Sequence, residues 1–323
     1  MVDMHASVSS PAPRAPRDAA PAATAPAGQP PRPVRVAAIA SLMANIGIVA
    51  TGGLVRLTGS GLGCDTWPKC TPGSFTTTPA QGFHGLVEFG NRTLTGVLLI
   101  IAVWMLVAVY RRARERRDLV ALAWVQIAGI IVQAVVGGMV VLFHLTWNLV
   151  GFHYLLSIAL VAAMAILVAR AHLPAGPREL VVARPVMILT HVMTLVLVVV
   201  VVLGVMATGS GPHSGDESRV LRTGIDAELV YHVHAWAAYT LFTLTAIMLV
   251  LALRTRGDGA ARWRRWVGVL LAVQLVQMAV GIAQANLALP IGLVLVHMTL
   301  AALLTAASVA VVMALKAPVH ADD

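Results

Sequence analysis

Long apolar runs alternate with short polar breaks along this chain, and eight of the runs reach the length of about 20 residues that a bilayer-crossing helix needs. They cover residues 34–56, 84–110, 119–142, 148–170, 186–207, 228–253, 264–286 and 290–314. The breaks sort by charge. The second-to-third connection holds Arg111, Arg112, Arg114, Arg116 and Arg117, and the sixth-to-seventh holds Arg254, Arg256, Arg262, Arg264 and Arg265, whereas the connections after the third and seventh runs hold no basic residue. By the positive-inside rule the arginine-rich connections and both termini are cytoplasmic.

Composition agrees: 58% of residues are hydrophobic, 11% are charged and the mean hydropathy is +0.83. Such a chain is an integral membrane protein, not a water-soluble globule. The net charge of +9 follows from the arginine-rich loops. No aromatic-interleaved basic groove accompanies it, so nucleic acid is not an expected partner.

The chain also repeats. Val132 to Gly137 reads Val-Gln-Ala-Val-Val-Gly and returns as Val-Gln-Met-Ala-Val-Gly from Val276 to Gly281, and His153 and His297 share the same separation of 144 residues as Gln133 and Gln277. Thr-Gly-Ser-Gly occurs at Thr58 to Gly61 and again at Thr208 to Gly211, just past an apolar run each time. Two sets of four helices therefore form a duplicated membrane unit. The expected fold is an all-α integral membrane protein, eight transmembrane helices in two repeated four-helix bundles. Its expected parts are a disordered Pro/Ala-rich cytoplasmic tail at 1–33, an N-terminal half at 34–171, a cytoplasmic linker at 172–185, a C-terminal half at 186–315 and a tail at 316–323.

On that topology the second, fourth, sixth and eighth helices run inward from the outer face, and Asn91, His153, His234 and His297 lie in their first turns, roughly 5 to 12 Å below the outer boundary. An intramembrane histidine is a functional candidate by default. His234 and His297, on paired helices, suit axial ligation of a heme iron from both sides; zinc or copper would need further ligands. Other histidines are less suited. His232 points about 200° round the helix from His234, His191 lies at the wrong depth, and His5, His144, His172, His213 and His320 lie in tails or loops.

Glu88 lies one turn from Asn91 on the same helical face, whereas the repeat sets Tyr231 opposite it. Two readings stay open: an interfacial carboxylate paired with Arg92 or Arg56, or a proton handler beside a reacting group. Arg92 and Arg56 also suit heme propionates. Cys64 and Cys70 bracket an outer loop on the oxidising side of the membrane, where a disulfide is the leading reading. If exposed, the pair could also exchange with a thiol-redox partner.

These residues resemble a known family. Gly61 to Cys70, Gly-Leu-Gly-Cys-Asp-Thr-Trp-Pro-Lys-Cys, looks like the cysteine-bearing outer loop of bacterial heme A synthases, and Val87 to Arg92 looks like their Glu-x-x-His-Arg motif. The likeness spans about residues 35 to 315. It implies an enzyme of the bacterial plasma membrane that oxidises a methyl group of heme O to a formyl group by two hydroxylations and loss of water, supplying heme A to cytochrome c oxidase. It also implies heme b between His234 and His297, heme O as substrate in the N-terminal half with His153, an essential role for Glu88 and a disulfide between Cys64 and Cys70. Implied partners are heme O synthase and a membrane electron donor; a homo-oligomer is also compatible.

The chain departs from the family at Asn91, which stands where the first N-terminal histidine belongs. Either His153 alone holds the substrate heme, leaving an axial position open, or His84, seven residues and about 10.5 Å upstream, supplies the second imidazole. Rival functions are a quinol-oxidising b-type cytochrome, which buried histidines suit equally well, and a heme transporter. A carboxylate kept and a ligand lost in one half only argue against the first, and sites near one face with no paired mid-depth interruptions argue against the second.

Overall fold

The computed structural model describes residues 28–211 and 223–319. Among them are eight membrane-length helices: α1 (Arg32–Leu57), α2 (Gly82–Arg112), α3 (Arg117–Leu142), α4 (Trp147–Ala171), α5 (Arg184–Ser210), α6 (Ala227–Arg254), α7 (Ala261–Asn286) and α8 (Ile291–Ala314). Each end falls within three residues of the sequence expectation. The boundaries have local causes. Proline occupies the first turn of α1 and α5, where its missing N–H is not needed, and the Asp226 carboxylate caps α6 by accepting from Leu229 N at 3.0 Å.

Each set of four helices packs as a ring. α1 packs on α2 and α4, and α3 on both; α5 packs on α6 and α8, and α7 on both. The first ring is filled by Val34, Met105, Leu119, Met164 and Leu167, the second by Met193, Met248, Trp263, Val267 and Leu270. A seam cluster of Ile46 and Val49 from α1, Ile158 and Val161 from α4, and Ala302 from α8 joins them. The large apolar side chains left exposed along the helices, such as Ile100, Ile131, Leu195 and Leu253, face outward as a bilayer requires. The α3–α4 and α7–α8 turns match as well. His144 and Leu145, then Ala288 and Leu289, all have φ between 53 and 58°, a conformation that non-glycine residues rarely adopt.

Three details differ from expectation. Thr208 to Ser210 close α5 instead of following it, whereas Thr58 does lie just past α1. Arg116, counted among the cytoplasmic charges, is buried, held by Asp118 and by the carbonyls of Arg170 and Leu173. The linker and the C-terminal tail are not featureless, for β1 (Arg178–Leu180) pairs antiparallel with β2 (Lys316–Pro318), a small departure from an all-α chain. Most of the expected tail at 1–33, the end of the 316–323 tail, and His5, His213 and His320 lie outside the described residues; α1 already begins at Arg32.

Candidate functional site

Three histidines sit in the same kind of seat. On α3, Gln133 and Gly137 are four residues apart and so share a face. Gln133 Nε2 donates to His153 O at 3.2 Å, and a Cβ on Gly137 would stand 3.3 Å from His153 Cε1. α7 and α8 repeat this, with Gln277 Nε2 donating to His297 O at 3.2 Å and a Cβ on Gly281 3.1 Å from His297 Cε1. On α5, a Cβ at Gly204 would stand 3.1 Å from His234 Cε1. Each imidazole thus lies flush against a glycine of the preceding helix. The Val-Gln-x-x-Val-Gly repeat carries this signal in its four-residue spacing, but sequence reasoning used it only as a register mark.

The second ring brings two of these histidines together. The rings of His234 and His297 are 6.3 Å apart between centroids, inclined at 71°. Two imidazoles each about 2 Å from a shared metal ion would have centroids roughly 6 Å apart, so the pair fits an axially ligated iron. His234 Nδ1 faces Val200 O at 3.0 Å. A carbonyl only accepts, so this nitrogen holds the proton and Nε2 keeps its lone pair for a metal.

The first ring is built differently. Asn91 Oδ1 accepts from Thr51 Oγ1 at 2.7 Å, which orients the amide and leaves its NH2 donors for other partners. His153 stands on α4 with no second histidine tied to it by a described contact. His84 bonds instead to the loop between α1 and α2, its Nδ1 2.9 Å from Ser60 Oγ.

His84, Glu88 and Arg92 recur every four residues along α2, and all three clasp that loop. Glu88 Oε2 accepts from Cys64 N at 2.7 Å, and Oε1 pairs with Arg92 at 2.6 Å. Arg92 also donates to the carbonyls of Cys64, Thr66 and Lys69. Of the two partners expected for Glu88, Arg92 is the one found, and Arg56 instead donates to Thr208 O on α5 at 3.1 Å. The loop presses close enough that a Cβ on Gly63 would overlap the His84 carbonyl and one on Gly138 would meet the Trp67 ring. Cys64 and Cys70 are disulfide-bonded and both fully buried. An exposed pair open to exchange is therefore not what the fold presents: Gln81, bonded to Gly63 O and contacting Cys70 Sγ, helps cover it.

The two rings touch beside their histidines. Tyr154, next to His153, donates to the carbonyl of Met298, next to His297, at 3.4 Å. The remaining described histidines bond locally or face outward: His172 to Val168 O, His232 to Glu228 O, with His191 exposed.

Fold and site together define a polytopic membrane protein with histidines seated against glycines of neighbouring helices. The profile of the COX15-CtaA family, described as cytochrome oxidase assembly protein, matches residues 35–212, and the chain belongs to that family. Curated relatives called heme A synthase include those of Alkalihalophilus pseudofirmus, 29% identical over 40% of this chain and 44% of the relative, and Exiguobacterium sibiricum, 32% identical over 37% and 40%. A third, from Staphylococcus haemolyticus, is 26% identical over 44% and 48%. The chain thus aligns with under half the length of each of these relatives. The apolar helices and bacterial relatives make it a multi-pass protein of the plasma membrane.

Proposed function

We propose that this chain is a heme A synthase, oxidising a methyl group of heme O to the formyl group of heme A for cytochrome c oxidase. The observation that carries the reading is the glycine-backed histidine seat, present three times and paired at His234 and His297, in a chain of the cytochrome oxidase assembly family. The two rings are a duplicated unit with both termini cytoplasmic, spanning 34–171 and 186–315. His234 and His297 hold heme b, which when bound supplies one-electron redox chemistry beside the substrate half.

In that half His153 holds heme O. Asn91 is a weak ligand at best, because a neutral amide binds heme iron far less well than an imidazole, and its oxygen already accepts from Thr51; its N–H donors are assigned to the opposite face of the substrate. Glu88 and Arg92 act by fixing the disulfide loop over the outer end of the site, with the carboxylate anchored at Cys64 N. A covered site keeps water from a reactive intermediate. Tyr154 ties the frame of one histidine to that of the other. Each hydroxylation consumes one dioxygen, two electrons and two protons and releases one water, and the geminal diol then loses water to the aldehyde. The partners this chemistry requires are therefore dioxygen, a membrane electron donor and the heme O synthase that supplies the substrate.

The test is expression in a host that makes heme O but no heme A, followed by extraction and chromatography of hemes. Heme A should appear, and should vanish in His153→Ala and Glu88→Ala. Bound heme b without heme A, with heme O present and expression verified, would turn the reading to an electron-transfer cytochrome.

A further inference from the structure

At the arginine-rich end of the molecule the β1–β2 ribbon joins the inter-ring linker to the end of the chain. Its register sets Arg178 opposite Pro318 and Leu180 opposite Lys316, with Glu179 opposite Ala317. Directly paired residues share a face of an antiparallel ladder, and alternate residues along a strand return to it. One face therefore carries Arg178, Leu180, Lys316 and Pro318, a diagonal pair of cations interleaved with two apolar groups. Glu179, the strand's only acid, is on the other face.

The surroundings add more positive charge than negative. Arg170, at the end of α4, and Arg116 and Arg262 all act on the Arg178 guanidinium, with Asp118 as the opposing charge. Both carboxylate oxygens of Asp118 are bonded at 3.0 Å to the buried Arg116, and Arg170 reaches Asp118 only at 3.9 Å. Arg262 spends donors on Met313 O and Lys316 O. Among the described residues, neither Arg170 nor Arg178 donates a side-chain hydrogen bond, and Arg178 is half-buried. Leu180 remains 41% exposed beside it. A cluster in which four guanidiniums share the one carboxylate of Asp118, next to an exposed leucine at the bilayer boundary, matches a phosphate that arrives with a hydrocarbon body.

We propose that Arg178, Arg170 and Lys316 form a binding site for the headgroup phosphate of an anionic phospholipid, whose apolar part rests on Leu180 and Pro318. The inference stands apart from the heme chemistry. A bound lipid bridges the linker and the C-terminal end, so occupancy stabilises the packing of the two rings by mass action.

The test uses the full chain purified in detergent, with native mass spectrometry and thermal unfolding in the presence of phosphatidylglycerol, phosphatidylcholine or inorganic phosphate. Phosphatidylglycerol should bind selectively and raise the unfolding midpoint. Its affinity should fall about fivefold in Arg178→Gln and roughly thirtyfold when Arg170→Gln is added. Arg178→Lys should keep the selectivity, and the double variant Arg111→Gln/Arg112→Gln, which removes equal charge from the exposed end of α2, should bind as the parent does. If Arg170→Gln compromises folding, Arg178→Gln alone decides. Equal binding of the two lipids, the same shift from inorganic phosphate alone, or unchanged affinity in Arg178→Gln would each overturn the proposal.

Discussion

Glu88 is the residue whose role in the fold can be measured apart from any reaction. Its carboxylate is 5% exposed, accepts from Cys64 N and pairs with Arg92. A hydrogen bond to a charged group contributes about 1.5–3 kcal/mol, and deleting one member of a buried ion pair costs about 3–5 kcal/mol. Arg92 is 21% exposed and keeps its three carbonyl partners, so Glu88→Ala should loosen the loop by the smaller amount, about 1.5–3 kcal/mol. The loop's open population then rises roughly 10- to 150-fold. Because both cysteines are fully buried, a small thiol reaches the disulfide only through that open state, and the reduction rate reports its population. The assay reduces the purified protein, traps the released thiols with a maleimide and counts them by mass over time. Glu88→Gln keeps an acceptor for Cys64 N and should accelerate reduction only about fivefold, the equivalent of about 1 kcal/mol. If Glu88→Ala were reduced at the parent's rate, the carboxylate would not be the clamp, and its importance would have to lie in the reaction itself.

Other outcomes follow from the same contacts. Asn91→His combined with Thr51→Val places an imidazole where the second ring has one and removes the bond that occupies position 91; reconstituted heme in the first ring should change from high-spin to low-spin absorbance. An unchanged spectrum would contradict an open position opposite His153. Gly281→Val drives a branched side chain toward His297 Cε1, already 3.1 Å from a single Cβ, and should abolish the heme b absorbance while leaving the protein extractable and monodisperse. Retention of full heme b there would show that His297 does not need its glycine. Gly63→Ala sets a Cβ into the His84 carbonyl, which is backbone and yields little; a loss of about 1–3 kcal/mol should appear as a lower unfolding midpoint.

The helices were legible because apolar runs long enough to span a bilayer end at prolines, arginines and polar turns, and such boundaries need no tertiary information. The pairing of His234 and His297 was legible from their place in the first turns of two helices that run the same way in one half, and the repeat offset carried the position of His297 to His153 in the other. The glycine seats were within reach, since Gln133 to Gly137 and Gln277 to Gly281 have helical spacing, yet nothing in the spacing says which neighbour an absent side chain admits. The destination of Glu88 was not legible. It bonds to a backbone N–H on a loop without periodicity, and the path of residues 59–81 is set by contacts such as Trp67 on Gly138. The ribbon was hidden for a similar reason: two three-residue strands far apart in sequence have no alternation long enough to read.

What distinguishes the two rings bears most on function. The frame recurs: glycine behind histidine, Gln bonding the histidine's carbonyl, two left-handed residues in the following turn. Against that background the differences concentrate at the end of the first ring that carries the disulfide loop. His234 in the second ring is oriented by a backbone carbonyl that leaves a nitrogen free for metal; at the matching place stands Asn91, a neutral amide whose oxygen accepts from Thr51. Tyr231 in the second ring lies against Gly211, where the first ring has Glu88 anchoring a disulfide-closed loop. A pair of rings that only relayed electrons would gain nothing from withdrawing a ligand and adding a clasped cover in one of them. A ring that must admit a substrate heme, leave one face of it unligated and then exclude water would need both changes, and both lie within one turn of each other on α2.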